Sequence, residues 1–596
     1  MLQPMRRWWP VPPVPIGPDL AEAAAGLGVS GRLLAILAAR GCTTPGALAA
    51  FVGDPSAALH DPRLLPDAGV LHARLMAARE RSERVMVFGD FDADGVCALA
   101  VMSIALRGLG IAVEPYLPSR LAEGHGLSVA AVERASSDGC AVIVTVDCGT
   151  SSAVEISLAR SRGIDVLVTD HHHVPARDPG ALAFVNPHRA DGTYPDPALT
   201  GAGVAFKVAQ LLLGDGPGEG RGTTTSLADL AAIGTVADVA PLVGENRAIV
   251  RLGLGRLRTA PRPGLAALLA RAGLTPERVD PDAISFALAP RLNAAGRIGD
   301  VELAAQLLLA EDPAEAEDLA GRLEATNGMR RELAAAALDG AREAVGVPGD
   351  ENPAIVVSGA WPVGLVGLVA AKLAEEHRRP AVVFSTLADP WRGSARTPWH
   401  GFDLALAFES CDDLLVRHGG HADAAGCDLE PARFEAFAEA FRALASAQGG
   451  PPAEEALRVD VAVPVQEAGY PLYRELAVLE PSGAGNPAPH VAIFGAPVVR
   501  VRAAGRGHAQ LTIAKDREVL DVIAFGRGDL VDVVRAGDRL DIVGRLTSRT
   551  FGGLETLRVE LLDAGPAGTW QAMASLDGSS APGLPPCAAR PSGAPA

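Results

Sequence analysis

The stretch that decides the fold is Val85-Met86-Val87-Phe88-Gly89-Asp90-Phe91-Asp92-Ala93-Asp94-Gly95. Its first four residues form a short apolar run, which predicts a buried strand, and a helical pattern begins near residue 96. Three carboxylates stand at alternate positions between the strand and the helix. One aspartate would be an ordinary helix cap. Three so close together repel one another unless a cation neutralises them, so the stretch predicts a metal site.

Two further apolar runs, Ala141–Val146 and Asp165–Thr169, resemble the first and are followed by Asp147 and Asp170. Helical stretches separate the three runs. This alternation predicts a parallel sheet with helices on both faces. Sites in such sheets lie at the carboxyl ends of the strands, so the acidic residues that follow the strands are expected to converge.

Other polar residues extend this candidate site, although each is weak evidence alone. Asp147 is followed by Cys148-Gly149, which is a common turn sequence, and His171-His172-His173 would suit a surface loop. Asp238 stands where a helical pattern ends. Taken together they predict a carboxylate-rich cluster with imidazole, which suits Mn²⁺ or Mg²⁺ and disfavours a thiolate zinc site. A pair of such ions about 3.5–4 Å apart is the usual device for phosphoryl displacement.

The whole chain of 596 residues, 48% of them hydrophobic, is long enough for several domains. Its pattern predicts an α/β multidomain protein. The expected parts are an N-terminal helical region (1–80), a parallel-sheet catalytic domain (81–258), a helical connector (259–348), a second α/β domain (349–448), a small antiparallel β-barrel (455–565) and a disordered tail (566–596). Within the connector, the breaker-free segment from Pro313 to Val345 predicts one long helix.

Charge and composition exclude several classes of protein. The net charge of −18 argues against coating by non-specific nucleic-acid binding, although it leaves room for a local basic groove. Seven cysteines without a CxxC pair argue against a disulfide framework or a structural zinc site. The sequence contains no apolar run long enough to span a membrane and no secretory signal, so we expect a cytoplasmic protein without a membrane partner.

The order of the four motifs resembles the DHH phosphoesterase superfamily, and more narrowly the RecJ family of bacterial single-strand-specific 5′→3′ DNA exonucleases. The motifs are Asp-x-Asp-x-Asp at 90–94, Asp-Cys-Gly at 147–149, Asp-His-His at 170–172 and Gly-Thr-Val-Ala-Asp at 234–238. Further blocks that resemble this family lie at 117–120, 123–127, 201–207, 244–247, 290–297, 393–397, 419–426 and 485–489.

The resemblance implies a DHH domain, a DHHA1 domain and an OB-fold, and it implies two bound ions of Mn²⁺ or Mg²⁺. The implied metal ligands are Asp90, Asp92, Asp94, Asp147, His171 and Asp238, with His172 also in the catalytic site. Among these, Asp147 fits a ligand that bridges two ions. The implied contacts to the 5′ phosphate and the DNA are Arg120, Arg297, Ser394, Arg396 and His421. Asp170 is expected either to orient His171 or merely to end its strand.

The chain departs from the family pattern at a few positions. Phe88 stands where smaller relatives have a histidine ligand, so the site must either lose that nitrogen or recruit another ligand such as Asp90. Pro362 stands where RecJ proteins have a histidine, which removes one phosphate or solvent contact. The barrel region has few aromatic side chains on which bases could stack. Phe494, Phe525 and Phe551 are candidates for stacking, but we interpret them as barrel core, because buried aromatic residues are common.

The implied function is metal-dependent 5′→3′ hydrolysis of single-stranded DNA in repair and recombination. A ring of the three domains would exclude duplex DNA, and we expect a monomer with a single-strand-binding protein and a RecQ-type helicase as partners. One alternative is a DHH phosphatase for pyrophosphate, short oligonucleotides or cyclic dinucleotides, although such relatives lack the OB-like region. The other is a non-catalytic replication scaffold, although scaffolds of this kind have lost ligands that this chain keeps.

Overall fold

The computed structural model describes residues 2–120, 122–214, 225–346, 352–399, 401–448, 456–551 and 554–574. The chain forms two compact units, and both are discontinuous in sequence. One unit consists of Met1–His60, Val239–Leu252 and Glu454–Ala596, and the other consists of Asp61–Asp238 and Gly253–Ala453. The helix Gly244–Thr259 contributes residues to both units.

The second unit begins with the predicted parallel sheet. Its five strands are all parallel and lie in the order Ala112–Tyr116, Arg84–Gly89, Cys140–Val146, Asp165–Thr169 and Ala183–Val185. The three central strands confirm the prediction to within one residue at each end. The two edge strands were not predicted. Ala112–Tyr116 contains a glutamate and a proline and is only half-buried, so it has no apolar run to signal it.

Helices cover both faces of this sheet, as predicted. The two faces alternate along the central strand, where Met86 and Phe88 point to one core and Val85 and Val87 to the opposite side. The helix Ala93–Gly108 is buried along most of its length, and it packs against the sheet and the helix Gly201–Leu213. The helices of this domain are Ala68–Glu80, Ala93–Gly108, Val129–Ser137, Ala153–Ser161, Gly201–Leu213 and Ala228–Ala237.

A helical connector follows and ends in the long helix Pro313–Val345, which confirms the prediction at both ends. The carboxylate of Asp312 caps the first turn by accepting a hydrogen bond from Glu315 N (2.8 Å). Gly346, at a φ of 62°, ends the helix. The preceding helices are Pro263–Arg271, Pro281–Ala283, the π-helical Ile284–Leu288, Ala289–Ile298 and Glu302–Leu309.

The second α/β domain contains a five-stranded mixed sheet. The strands lie in the order Arg417–Gly420, Ala424–Leu429, Trp391–Arg396, Ala381–Ser385 and Ile355–Gly359, and only the last two are parallel to each other. Phenylalanine rings fill the core on one face, and the helix Val366–His377 covers the other. The remaining helices are Leu404–Glu409 and Phe434–Ala447.

The first unit is built around a closed β-barrel. The strands Val491–Ala503, Ala509–Lys515, Glu518–Ala524, Leu554–Pro566 and Arg539–Phe551 pair in that order, and the last pairs back with the first. The barrel is antiparallel, as predicted, except for the parallel pair Glu518–Ala524 and Leu554–Pro566. Val461–Pro464 adds a short parallel strand, and the short helices Tyr470–Leu476 and Leu530–Val533 complete the domain.

The predicted N-terminal region 1–80 is divided between the two units. The helices Pro18–Gly26, Gly31–Ala39 and Pro45–Val52 share a hydrophobic core with the barrel, whereas Ala68–Glu80 belongs to the other unit. The region also contains the strand Trp8–Pro10, which pairs with Leu457–Val459. Apolar burial against the barrel therefore decides where the first three helices belong.

The prediction of a disordered tail from residue 566 is wrong for its first nine residues. The last barrel strand continues to Pro566, and Thr569–Ala574 forms a helix. Trp570 packs beside the buried Trp8, and the Asp541 carboxylate accepts hydrogen bonds from Gly568 N (3.0 Å) and Trp570 N (2.9 Å). The packing of one apolar side chain and these hydrogen bonds therefore order a segment whose composition is typical of linkers. The rest of the predicted tail, 575–596, lies outside the described residues.

No helix in the described part of the chain is long and apolar enough to cross a membrane. Six of the seven cysteines are described, and all six are buried and free of disulfides, in line with the prediction. Cys587 lies outside the described residues.

We expect the buried Arg247 to be an important stabilising residue of the first unit. Its guanidinium donates to the carbonyls of Val478, Leu479, Glu480 and Pro481 at 2.7–3.2 Å and stacks over the Phe51 ring at 3.8 Å. Arg247→Ala removes the charged donor from all four carbonyls, of which only those of Leu479 and Pro481 keep Asn486 Nδ2 as a donor. This loss should cost about 1–3 kcal/mol and lower the melting temperature of the first unit.

The melting temperature is measured by differential scanning fluorimetry for the wild type, Arg247→Ala and Arg247→Lys. Lysine keeps the charge but loses the planar fork of donors. The melting temperature of Arg247→Lys should lie between those of the wild type and Arg247→Ala. Equal melting of all three proteins would contradict this role.

Candidate metal centre

The carboxylate loop after the first central strand is held by its own backbone. Asp92 begins the helix Ala93–Gly108, and its Oδ1 accepts hydrogen bonds from Asp94 N (2.9 Å) and Gly95 N (3.0 Å). A Cβ at Gly95 would lie 2.5 Å from the Asp90 carbonyl oxygen, so only glycine fits there. The loop can therefore fold tightly enough to point its carboxylates in one direction.

The helix Ala289–Ile298 fixes the loop from the connector side. Its Asn293 Oδ1 accepts a hydrogen bond from Ala93 N (2.7 Å), and a Cβ at Gly296 would lie 2.5 Å from the Phe91 carbonyl oxygen. The sequence block 290–297 thus has a physical role that its residues alone did not reveal: it places a helix directly against the carboxylate loop.

The start of the helix Gly201–Leu213 orients two further carboxylates. Asp94 accepts hydrogen bonds from Gly201 N (2.8 Å, to Oδ2) and Ala202 N (3.0 Å, to Oδ1). A Cβ at Gly201 would lie 2.4 Å from the Asp147 side chain, and one at Gly234 would lie 2.4 Å from Asp94 Oδ1. Two glycines from different motifs therefore allow the aspartates to approach the backbone.

Asp147 and His171 meet at the carboxyl edge of the sheet. Asp147 has a φ of 60°, the left-handed conformation that aspartate tolerates better than most residues, and its N donates to Thr169 O (3.0 Å). Its Oδ1 lies 3.0 Å from His171 Nε2, which in turn lies 4.0 Å from Asp94 Oδ2. The imidazole nitrogen therefore lies near carboxylates of two motifs.

Asp170 orients the neighbouring histidine, not His171 as one interpretation of the sequence held. Its Oδ1 lies 2.7 Å from His172 Nδ1, and its Oδ2 accepts from Thr150 N (3.0 Å). Although burial opposes it, the His172 ring lowers the pKa of Asp170, and Asp170 raises the pKa of His172 to about 9. The pair is a buried anion beside an imidazolium ring.

Asp90 has a partner that sequence reasoning missed. His125 Nδ1 lies 3.1 Å from Asp90 Oδ2, and the His125 ring lies 4.5 Å from that of Phe91. His125 is part of the block 123–127, which signalled the family but assigned the residue no role. Phe88 is fully buried and stacks on Tyr116, so the position of the lost histidine offers no ligand in this chain.

The predicted ligands lie close together in three overlapping groups whose ligand atoms are within 4.8 Å of one another. The groups, which together form the carboxylate cluster, are Asp90 with Asp92 and Asp147, Asp94 with His171 and Asp238, and Asp147 with His171 and His172.

The electrostatics of the carboxylate cluster favour a bound cation. Burial first, and then the charge of neighbouring carboxylates, raise the pKa values of Asp92 and Asp147, and burial likewise raises that of Asp94. Asp90 Oδ1 is buried and has no hydrogen-bond partner among the described residues. Oxygen and imidazole donors of this kind fit Mn²⁺ or Mg²⁺. The buried Cys148 has a raised thiol pKa, which argues against a thiolate ligand.

A second charged group lies nearby in the same unit. The guanidiniums of Arg120, Arg297 and Arg396, here called the arginine cluster, have no ion pair among the described residues. Burial, and then the charge of neighbouring guanidiniums, lowers all three pKa values, that of Arg297 to about 10. Arg120 acts on both Arg297 and Arg396, whereas the neighbour that acts on Arg120 is Arg392. An anion between these guanidiniums would relieve the repulsion, just as a cation would in the carboxylate cluster.

The parts of the arginine cluster come from three segments of the chain. Arg120 lies over the Phe91 ring at 4.9 Å, beside the carboxylate loop. Arg297 Nη1 donates to Gly364 O (3.1 Å), and Arg396 Nη1 donates to Ser394 Oγ (3.0 Å). The second α/β domain thus brings its predicted residues to those of the catalytic domain.

His421 also reaches the catalytic domain, where it is close enough to Asp238 to influence its ionisation. It follows Gly420, whose φ of 139° and whose contact with Ala424 O exclude a side chain. All the predicted ligands and anion contacts therefore gather in one unit.

The predicted role of the barrel aromatics is wrong for Phe525. Its side chain is 57% exposed and meets the His508 ring edge-on at 5.5 Å, whereas Phe494 is half-buried. Strand alternation places Phe525 outside the core because Ala524 points inward. The side chain of Phe551 lies outside the described residues.

Comparison with known families covers most of the chain in three parts. Residues 84–235 match the DHH family N-terminal domain, residues 351–447 match the DHHA1 domain, and residues 459–563 match the RecJ OB domain. The order and placement of these matches agree with the three folded parts described above.

Individual relatives extend the match to almost the full chain. The single-stranded-DNA-specific exonuclease RecJ of Bacillus subtilis is 35% identical over 91% of this chain and 69% of its own length. RecJ of Thermus thermophilus is 36% identical over 86% of this chain and 72% of its own.

The crystal structure of RecJ in complex with Mn²⁺ from Thermus thermophilus covers 94% of this chain and 79% of its own, with a TM-score of 0.77 and 31% identity. The Mg²⁺ complex from the same organism has a TM-score of 0.72 at 30% identity, with 94% and 78% of the two chains covered. With these identities and this coverage, the chain belongs to the RecJ family.

Proposed function

We propose that this protein is a metal-dependent exonuclease that hydrolyses the phosphodiester bonds of single-stranded DNA from the 5′ end. The observation that carries the proposal is the carboxylate cluster, in which aspartates from three motifs converge with His171 of the fourth. Burial, and then the charge of neighbouring carboxylates, raises the pKa values of Asp92 and Asp147, and a bound divalent cation would offset both effects. Family membership supports the substrate class, because RecJ relatives are single-stranded-DNA-specific exonucleases.

Two ions would divide the carboxylate cluster between them. Asp90, Asp92 and Asp147 would hold one, and Asp94, His171 and Asp238 the other. Asp147 belongs to the first group, and its Oδ1 lies 3.0 Å from His171 of the second. Because its carboxylate has two oxygens, Asp147 is suited to bridge the two ions. When bound, such ions lower the pKa of a coordinated water and stabilise charge on a phosphodiester.

The chain's own groups would position the substrate. The arginine cluster offers forked donors in a partly dehydrated setting, which bind a phosphate more strongly than exposed lysines would. Ser394 and Arg396 would hold the 5′-terminal phosphate, and Arg120 and Arg297 would lie between it and the carboxylate cluster. The protonated His172 ring, fixed by Asp170, supplies a further cationic donor at the sheet edge.

The 5′→3′ direction of digestion would follow from this arrangement, because a strand whose 5′ phosphate is held by Arg396 presents its first phosphodiester linkages to the carboxylate cluster. A DHH phosphatase for small substrates would have no use for the RecJ OB domain at 459–563. A non-catalytic scaffold would not need to retain every motif carboxylate. Both alternatives therefore explain less of the chain than the exonuclease does.

Removal of the proposed bridging ligand should separate cleavage from binding. Asp147→Asn keeps the left-handed backbone, which asparagine tolerates, but loses the anionic ligand. Cleavage should fall at least about 100-fold, or ~2.7 kcal/mol of barrier, while binding of single strands persists.

Calorimetric titration with Mn²⁺ should show loss of at least one binding event in Asp147→Asn. Asp178→Asn, an exposed loop position, is the matched control and should behave as the wild type. Cleavage within about tenfold of the wild type would contradict the two-ion assignment.

The choice of metal should reflect the imidazole ligand. His171 suits Mn²⁺ better than Mg²⁺, which is harder and keeps its waters. We expect activity with both ions and a higher rate with Mn²⁺ at low concentration, measured on a labelled single strand. Better turnover with Ca²⁺ or Zn²⁺ than with either ion would mean that the ligand set is misassigned.

Loss of a 5′-phosphate contact should be visible as a change in substrate preference. Arg396→Ala should slow the digestion of 5′-phosphorylated strands about 10- to 150-fold, because a charge-assisted contact is lost, with a much smaller effect on 5′-hydroxyl strands. Arg442→Ala, on the helix Phe434–Ala447 of the same domain, is the control. Equal losses on both strands, or digestion from the 3′ end by the wild type, would refute this role.

A further inference from the structure

A cavity of about 320 Å³ lies in the second α/β domain, outside the residues assigned above. It is lined by Val363, Leu387, Ala388, Asp389, Pro390, Arg392 and Asp428, and is here called the Arg392 cavity. Its walls combine four apolar residues with two carboxylates and one guanidinium. Ligand sites commonly have this size and this combination of apolar walls with a few polar groups.

The strand Trp391–Arg396 connects the Arg392 cavity to the arginine cluster. Arg392, Ser394 and Arg396 occupy alternate positions on this strand and so share one face, while Ala395 points into the phenylalanine core. Neighbouring side chains on that face stand about 6.7 Å apart. This separation is comparable to the distance between the phosphate and the base of a single nucleotide.

Two further contacts show that the Arg392 cavity and the arginine cluster are adjacent. Val363 lines the cavity, and the next residue, Gly364, accepts the hydrogen bond from Arg297 Nη1 (3.1 Å). The charge of Arg392 also contributes to the lowered pKa of Arg120. A ligand group bound in the cavity would therefore lie beside a phosphate held by Arg396 and Ser394.

The charges of the Arg392 cavity do not suit a second phosphate. Arg392 Nε lies 3.5 Å from Asp428 Oδ1, and Arg417 Nη2 lies 2.8 Å from Asp428 Oδ2, so two guanidiniums share this carboxylate. Asp389 supplies a second carboxylate, so that these four charges sum to zero. Asp389 is exposed and forms no hydrogen bond or ion pair among the described residues. An uncharged flat group with amino donors matches such a cavity better than an anion does.

We propose that the Arg392 cavity receives the base of the 5′-terminal nucleotide while the arginine cluster holds its phosphate. This inference rests on the proposed exonuclease function. The apolar walls would contact the faces of the base, and Asp389 would accept a hydrogen bond from an exocyclic amino group. Cytosine, adenine and guanine carry such a group and thymine does not, so the cavity would confer a preference at the 5′-terminal position.

The first test compares 5′-phosphorylated single strands that differ only in the terminal residue. We expect kcat/KM for release of the first nucleotide to be at least about fivefold higher with a terminal base than with an abasic residue. Strands that end in dC should exceed those that end in dT by about 2- to 10-fold. Fluorescence anisotropy without divalent ions should give the same order of affinities.

Two variants localise the effect. Ala388→Phe fills the cavity and should bring the ratio of base to abasic ends close to one. Asp389→Ala removes the acceptor and should bring the ratio of dC to dT close to one. Glu439→Ala, which removes an exposed carboxylate on the helix Phe434–Ala447, is the matched control and should keep both ratios. Melting temperatures establish that each variant is folded.

Equal processing of base and abasic ends by the wild type, or a ratio that persists in Ala388→Phe, would overturn the inference while leaving the exonuclease function intact. Failure to digest any single strand would overturn both. A preference for dT ends would show that Asp389 does not accept from the base.

Discussion

The repulsion between buried carboxylates at one edge of the parallel sheet is the constraint on which the catalytic domain depends. Burial and neighbouring charge both raise the pKa values of Asp92 and Asp147, so the folded chain holds these groups at a cost that a cation offsets. The surrounding structure fixes this arrangement. Backbone amides of one helix orient Asp94, and glycines remove the side chains that would collide with Asp94 and Asp147.

The same constraint explains motifs that carry no ligand. The block 290–297 supplies a helix whose Asn293 and Gly296 fit against the carboxylate loop. Gly201, at the start of the 201–207 block, allows Asp147 to pack directly on a helix start. These residues contribute no chemistry of their own. They allow the acidic residues to come as close together as a shared cation requires, so their side chains are as restricted as those of the ligands.

An element of the fold could be predicted where its signal lies in the local sequence, and could not where it depends on contacts between distant residues. The central strands and the helix Pro313–Val345 follow from runs of apolar or breaker-free sequence, and their ends were predicted to within one residue. The edge strand Ala112–Tyr116 is stabilised by pairing with its neighbour, a long-range contact without a local pattern. The helix Thr569–Ala574 was missed for the same reason, because its composition suggests a tail, whereas packing beside Trp8 and hydrogen bonds to Asp541 order it.

The candidate site likewise contains residues that the local sequence identifies and residues that only the fold identifies. The acidic and histidine motifs could be recognised because rare groupings of aspartate and histidine recur directly after predicted strands. His125 could not be assigned, because a lone histidine in a glycine-rich block has no pattern until the fold places it 3.1 Å from Asp90. For a related reason, Asp170 was expected either to orient His171 or merely to end its strand, whereas its carboxylate lies 2.7 Å from the ring of His172. In sequence it precedes His171 and His172 alike, and only the turn geometry aims its carboxylate at the second ring.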